Sequence, residues 1–392
     1  MRGQRWGALS CLGKSGRTGL VVMRNVHLTT EAHASGMFRV DRIDPDLAQL
    51  SGSNWTGPIT IEVRTRTSAQ EPGALGSLEV GDIVKLAQGS SRAVVCFRPS
   101  DRHHTLFVTN QCNSRCLMCS QPPTSDDDGW LFTEAERIVE LVSVAPEVVG
   151  ITGGEPTLQP MRLRKLLDCI HSRWPDTKVE VLTNGRCLGD DQVAEALLSG
   201  LPPGRTNWLI PLYAGNDEVH DFVVQSAGAF DETLSGLLNL QQFGQGIQLR
   251  TVMVKPVIEH LEQWARFVGH SLPFVKAAAL MATEPIGFAL ANQEACLVDV
   301  TEYADELGVA VQNLVHSGIC PVLMNMPLCK VPEPLRRFAA RSISDWKNDY
   351  TPACEGCALK GACAGFFVWD KSSLYRTGIK PVPVQVFGGA HV

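Results

Sequence analysis

The sequence predicts an α/β protein built on a partial (β/α)6 barrel, with a small β-rich domain before it and a cysteine-rich module after it. Three observations carry this expectation. From about residue 104, strand-sized apolar runs alternate with helix-sized amphipathic runs, the pattern of repeated βα units around a parallel sheet. The first hundred residues instead hold short β-prone pieces separated by turn-forming residues. The cysteines, thirteen in all, gather in short-spaced groups.

The N-terminal domain is assigned to residues 1–100, with strand candidates in PITIEVRTR (58–66), GDIVKLA (81–87) and RAVVCFR (92–98) behind a poorly specified arm. The barrel is assigned to residues 101–317. Its strands are read as HTLFVT (104–109), EVVGIT (147–152), VEVLT (179–183), NWLIPLY (207–213), IQLRTVMV (247–254) and VKAAALMA (275–282). Between them, Thr133 and Glu136 suggest a capping box. Phe230, Leu234, Leu237 and Leu238 suggest one apolar helix face that ends at Gly244, and Asp299 and Gly318 bracket a later helix. Residues 318–371 form the cysteine-rich module, and 372–392 read as an exposed tail.

With 392 residues, 44% of them hydrophobic, the chain can bury a sizeable core. A net charge of −6 without a long basic run gives no sequence-wide electrostatic case for nucleic acid. The absence of a signal-like or membrane-length apolar run gives a soluble, cytoplasmic reading with no membrane partner. An odd number of clustered cysteines suits metal ligation in a reducing compartment better than disulfides.

CNSRCLMC (112–119) spaces Cys112, Cys116 and Cys119 as C-x3-C-x2-C, with no further cysteine until Cys169. Three thiolates on a [4Fe–4S] cluster leave one iron open to a small molecule. A zinc site completed by His103 or His104 is the structural alternative. TGGEPTL (152–158) follows the second strand, where Gly153 and Gly154 permit close backbone approach to a ligand and Glu155 adds a carboxylate. TNG (183–185) follows the third. All three segments fall at the C-terminal ends of parallel strands, where barrel enzymes build their sites.

On these motifs, residues 104–290 resemble the radical S-adenosylmethionine (SAM) superfamily. The resemblance implies that Cys112, Cys116 and Cys119 hold a [4Fe–4S] cluster, that SAM chelates its open iron, and that a 5′-deoxyadenosyl radical results. It implies that Gly153, Gly154 and Glu155 contact the methionyl amino group, with Thr183 and Asn184 in the SAM wall. Arg250, a charge inside the fifth strand, is a candidate for the SAM carboxylate or ribose, or else a strand-end residue reaching solvent. The position before the last cysteine, usually aromatic in this superfamily, is Met118.

In the tail, Cys354, Cys357 and Cys363 with Cys329 supply four thiolates for zinc or for a closed cluster, and Cys320 is a spare. C-x2-C-x5-C resembles SPASM and twitch extensions, which implies an auxiliary [4Fe–4S] cluster. CNSRCLMCSQPP (112–123), EPIGFA (284–289) and SISDWKN (342–348) resemble His-Xaa-Ser system radical SAM maturases of the HxsC type. Membership implies a ribosomally made peptide substrate with His-Xaa-Ser repeats, a second radical SAM maturase and an electron donor. The β-rich domain could then bind a leader peptide by strand addition, or be a plain structural appendage. The competing expectations are radical chemistry on a metabolite or RNA, and a zinc-stabilised binding protein without catalysis. His220 and Asp221 are weighed as acid/base groups against a solvated loop, and Cys187 as a reactive thiol against a spectator; Cys11, Cys96, Cys169 and Cys296 read as spectators. Pro285 and Gly287 fit a pocket wall or a tight turn equally well.

Overall fold

The computed structural model describes residues 24–28, 32, 34–44, 47–52, 59–62, 78–101, 103–341, 348–370 and 373–383. The N-terminal arm with Cys11, most of PITIEVRTR, and SISDWK lie outside the described residues.

Six antiparallel strands, β1 (Arg24–His27), β2 (Gly36–Asp44), β3 (Leu47–Ser51), β4 (Ile59–Glu62), β5 (Ile83–Leu86) and β6 (Arg92–Phe97), form one sheet in the order β1-β6-β5-β2-β3-β4. Alternation along β3 and β4 buries Ala48, Leu50, Ile59 and Ile61 on one face, giving the sheet a core of its own. It leans on the following body through Lys85, which reaches Glu134 at 2.6 Å.

The second sheet is wholly parallel: β7 (His104–Phe107), β8 (Val148–Thr152), β9 (Lys178–Leu182), β10 (Thr206–Pro211), β11 (Gly246–Met253), β12 (Ala277–Ala282) and β13 (Cys320–Met324), in unbroken sequence order. The sequence led us to expect six strands, and the six expected are β7 to β12. The seventh is CPVLM, whose cysteine and proline had marked it as part of the cysteine-rich module; Pro321 is tolerated because β13 is an edge strand.

Val149, Val179, Trp208, Leu249 and Leu280 project from one face into a core shared with the crossover helices. The opposite face carries part-exposed residues, among them Glu180, Gln248 and Arg250. Trp130–Leu141 is helical from one turn before the expected capping box, so Thr133 and Glu136 lie inside the helix and Gly129 is its N-cap. In Ala229–Gln242, Phe230 and Leu237 are buried, but Leu238 is 54% exposed because it falls off the packed face. Asp299 caps as expected, through a short 3-10 turn that leads into Ala304–His316.

Residues 375–383 are partly exposed and partly held against the preceding segment. Tyr375 is buried, Ala358 N donates to Val382 O, and Ile379 and Pro381 cover apolar space beside the cysteine-rich segment.

Candidate active site at the strand C-termini

The loop after β7 has no regular secondary structure between Val108 and Gly129, so its shape depends on contacts with other segments. Asp128, 3% exposed, receives Thr109 Oγ1, the Asn110 amide and Asn110 Nδ2 at the loop's start. Arg115 N and Leu117 N donate to Val224 O and Val223 O at the end of helix Asp217–Val224. Asn292 Nδ2 donates to Leu117 O, and Phe288 N to Cys119 O at 2.8 Å.

The GGE segment docks on this loop from the other side. Gly154 N donates to Thr109 O and Glu155 N to Gln111 O, both at 2.7 Å. A Cβ on Gly153 would lie 2.4 Å from Thr109 O, and one on Gly154 would lie 2.1 Å from Gln111 O. The glycines therefore admit the chain's own cysteine loop. Gly287, at φ +61°, does the same on the far side, where a Cβ would meet Cys119 O at 2.3 Å.

Glu155 is fully buried and joins two loops. Its carboxylate accepts from Thr157 N (2.9 Å), Thr157 Oγ1 (2.6 Å), Thr183 Oγ1 and Asn184 N (2.6 Å). Burial raises its carboxyl pKa, and those hydrogen bonds oppose the rise. Asn184 Nδ2 continues to Asn113 Oδ1 at 2.6 Å, which places the TNG turn against the residue after Cys112. Thr183 and Asn184 thus belong to the scaffold beneath the loop.

The three cysteines share one neighbourhood and their thiols are free. Burial pushes the Cys112 thiol up to about 12, with the Glu155 carboxylate adding to the rise, and raises Cys116 and Cys119 as well. A buried thiol of this kind ionises when a soft cation shares the pocket. The donor set therefore fits the iron of a cluster, and three thiols leave one coordination position for another ligand. Met118 lies in the main core. Arg250 sits on the sheet face opposite the helix-packed core; its Nε is buried without a hydrogen-bond partner, and burial lowers its pKa.

Cys329, Cys354, Cys357 and Cys363 line one cavity with Tyr350, Phe366, Ile379 and Pro381, enclosing about 370 Å³ of space between atoms, open solvent included. Cys363 Sγ accepts from Leu328 N (3.3 Å) and Gly365 N (3.4 Å), which ties the turn that holds Cys329 to the later cysteines. Cys320 is exposed at the N-terminal end of β13, paired with Ala277, and is not among the residues lining that cavity. Among the described residues, no three His, Cys, Asp or Glu side chains converge on a single-ion position.

His220 and Asp221 lie within a helix and not on a solvated loop. His220 is 1% exposed, accepts from Tyr213 N and packs between Tyr213 and Phe230, and burial lowers its pKa to about 4. Asp221 receives the amides of Gly228 and Phe230 and so fixes the start of the next helix. Cys187 Sγ accepts from Asn113 Nδ2 at 3.8 Å, which places it beside the cysteine loop. Sequence reasoning missed Asn113, Asp128 and Arg186. The acidic run SDDDGW before a helix was the available signal for Asp128, and neither of the others carried one.

Residues 106–268, within the parallel-sheet body, match the model of the Radical SAM superfamily, a class of enzymes that use a [4Fe–4S] cluster and SAM. Among curated proteins the chain is similar to Fe-coproporphyrin III synthase of Methanosarcina barkeri, 26% identical over 241 residues, which cover 58% of this chain and 58% of that protein. Among solved structures it is similar to SuiB of Streptococcus suis bound to S-adenosylmethionine (13% identical, 58% of this chain and 50% of that one, TM-score 0.45). It is also similar to a radical SAM methyltransferase from Sphaerobacter thermophilus (13% identical, 81% and 80%, TM-score 0.41). The chain spans between half and four-fifths of the length of these relatives. Among the described residues, no helix is long and apolar enough to cross a membrane.

Proposed function

We propose that this chain reductively cleaves SAM and modifies a ribosomally made peptide, one with His-Xaa-Ser repeats. When bound, a [4Fe–4S] cluster supplies the electron and the open iron for that cleavage. The observation that carries the reading is the docking of GGE on the loop that bears three part-buried cysteines, at the C-terminal rim of a parallel sheet.

Cys112, Cys116 and Cys119 hold the SAM cluster. Gly153, Gly154 and Glu155, with Thr183 and Asn184, set the loop's height and present backbone groups to the methionyl end of SAM. Arg250 offers its guanidinium to the SAM carboxylate, which would supply the hydrogen-bond acceptor its buried Nε lacks. Cys329, Cys354, Cys357 and Cys363 hold an auxiliary [4Fe–4S] cluster in an apolar cavity. The reduced thiols suit the cytoplasm. The peptide reading rests on the motif resemblance, as do the second maturase and the external electron donor.

The test is anaerobic reconstitution followed by iron and sulfide analysis, comparing the intact chain with a Cys112, Cys116 and Cys119 triple alanine variant. About eight irons falling to about four is expected. Stoichiometric zinc in place of iron would sink the mechanism. Coexpression with a His-Xaa-Ser repeat peptide, read by the peptide's mass, tests the substrate; an unmodified peptide beside active SAM cleavage would redirect the reading to a metabolite or RNA.

A further inference from the structure

Arg186 immediately follows the TNG turn, and its guanidinium forks between two elements. Nη1 donates to Asn113 O and to Ser114 Oγ at 3.0 Å, and Nε donates to Glu232 Oε2 at 2.6 Å. Its side chain is only 10% exposed. Asn113 and Ser114 are the residues after Cys112, in the stretch that sets the separation of the first two thiols. That stretch is irregular, and Arg186 supplies it with two donors from one rigid head. A lysine ammonium has no such fork.

Electrostatics point the same way. The Arg186 guanidinium is a cation held by hydrogen bonds on the two residues that follow Cys112. Glu232, the counter-ion, is half exposed and offsets that charge only in part. The reduced form of a cluster held by Cys112, Cys116 and Cys119 carries one more negative charge than the oxidised form. Net charge and nearby hydrogen bonds set the potential of such clusters.

Resting on the function proposed above, we infer that Arg186 is the positioning residue of the SAM cluster: its fork fixes the Asn113–Ser114 link between the thiols, and its charge favours the reduced state. Arg186 itself transfers nothing. The electron comes from an external one-electron reductant, and the cluster gains it without bond exchange at the arginine.

The test is a redox titration of the reconstituted full chain with dithionite, monitored by electron paramagnetic resonance on the signal that changes when SAM is added. An iron-free wild-type chain would sink the proposed function and this inference with it. With iron present, Arg186→Gln should titrate at a more negative potential than wild type, and Arg186→Lys, which keeps the charge and loses the fork, between the two. Arg186→Gln at the wild-type potential, or Arg186→Lys falling as far as Arg186→Gln, would overturn the inference. Should Arg186→Gln retain no cluster, Glu232→Gln decides. It leaves the arginine less neutralised and should titrate above wild type, and an unchanged potential there would overturn the inference.

Discussion

Replacing Gly154 with alanine should disable the cluster site while leaving the fold standing. The new Cβ would sit 2.1 Å from Gln111 O and 2.6 Å from Gln111 C, where ordinary contacts fall at about 3.5 Å. Both neighbours are backbone, so no side chain can swing aside and the loop must retreat by roughly 1 Å. The amide bonds from Gly154 and Glu155 to Thr109 and Gln111 resist that movement. Overpacking costs about 1–3 kcal/mol, and each strained hydrogen bond about 0.5–1.5 kcal/mol. Gln111 directly precedes Cys112, so the displacement reaches the first thiol. A misplacement of about 1 Å at reacting groups costs on the order of 10²-fold in rate. Iron per chain and 5′-deoxyadenosine formation read the effect, with thermal melting to show that the sheet survives. Gly308→Ala is the control, since a Cβ there meets nothing within 4 Å and a helix gains about 0.5–1 kcal/mol from the exchange. Gly154→Ala protein with full iron and wild-type SAM cleavage would refute the docking argument.

Cys329→Ser should remove the tail cluster's iron and Cys320→Ser should leave it, because only Cys329 lines the four-thiol cavity; equal iron in the two variants would contradict that assignment. His220 should make stability depend on acid. Its folded pKa of about 4 lies below the ordinary value of 6.5, so its contribution is whole above about 6.5 and is lost as pH falls towards 4. The cost is about 2 kcal/mol between pH 7 and pH 5, and urea melts of His220→Phe should lack that component of the slope. Arg250→Met should stabilise the cluster-free chain by about 1 kcal/mol, by removing a buried donor without a partner, while weakening SAM binding. A lower melting temperature would show that the guanidinium is paired in the fold, and unchanged SAM affinity would remove Arg250 from the SAM site.

Apolar runs bounded by turn residues made six of the seven parallel strands legible, to within a few residues at either end. β13 was hidden because local signals pointed the wrong way. Cys320 and Pro321 read as module residues, and only the open edge of β12 makes a strand there favourable. The helix at Trp130 was mis-started because Thr133 and Glu136 have capping chemistry, yet Asp128 spends its carboxylate on the cysteine loop and the helix begins directly after it. At the site, the motif residues were legible, but what they touch was not.

That difference alters the meaning of the motif. Gly153 and Gly154 read as space for a ligand, and the atoms that occupy the space are Thr109 O and Gln111 O. Glu155 read as a contact for a cofactor, and its carboxylate is occupied by Thr157, Thr183 and Asn184. Gly287, far along the chain, repeats the device against Cys119. The loops after β7, β8, β9 and β12 therefore hold one another, and a thiol is placed only when its neighbours are. Substitutions at Glu155 or Gly287, which carry no thiol, should lower iron occupancy as Gly154→Ala does. A site whose scaffold residues outnumber its ligands should be most sensitive at positions that never touch the metal.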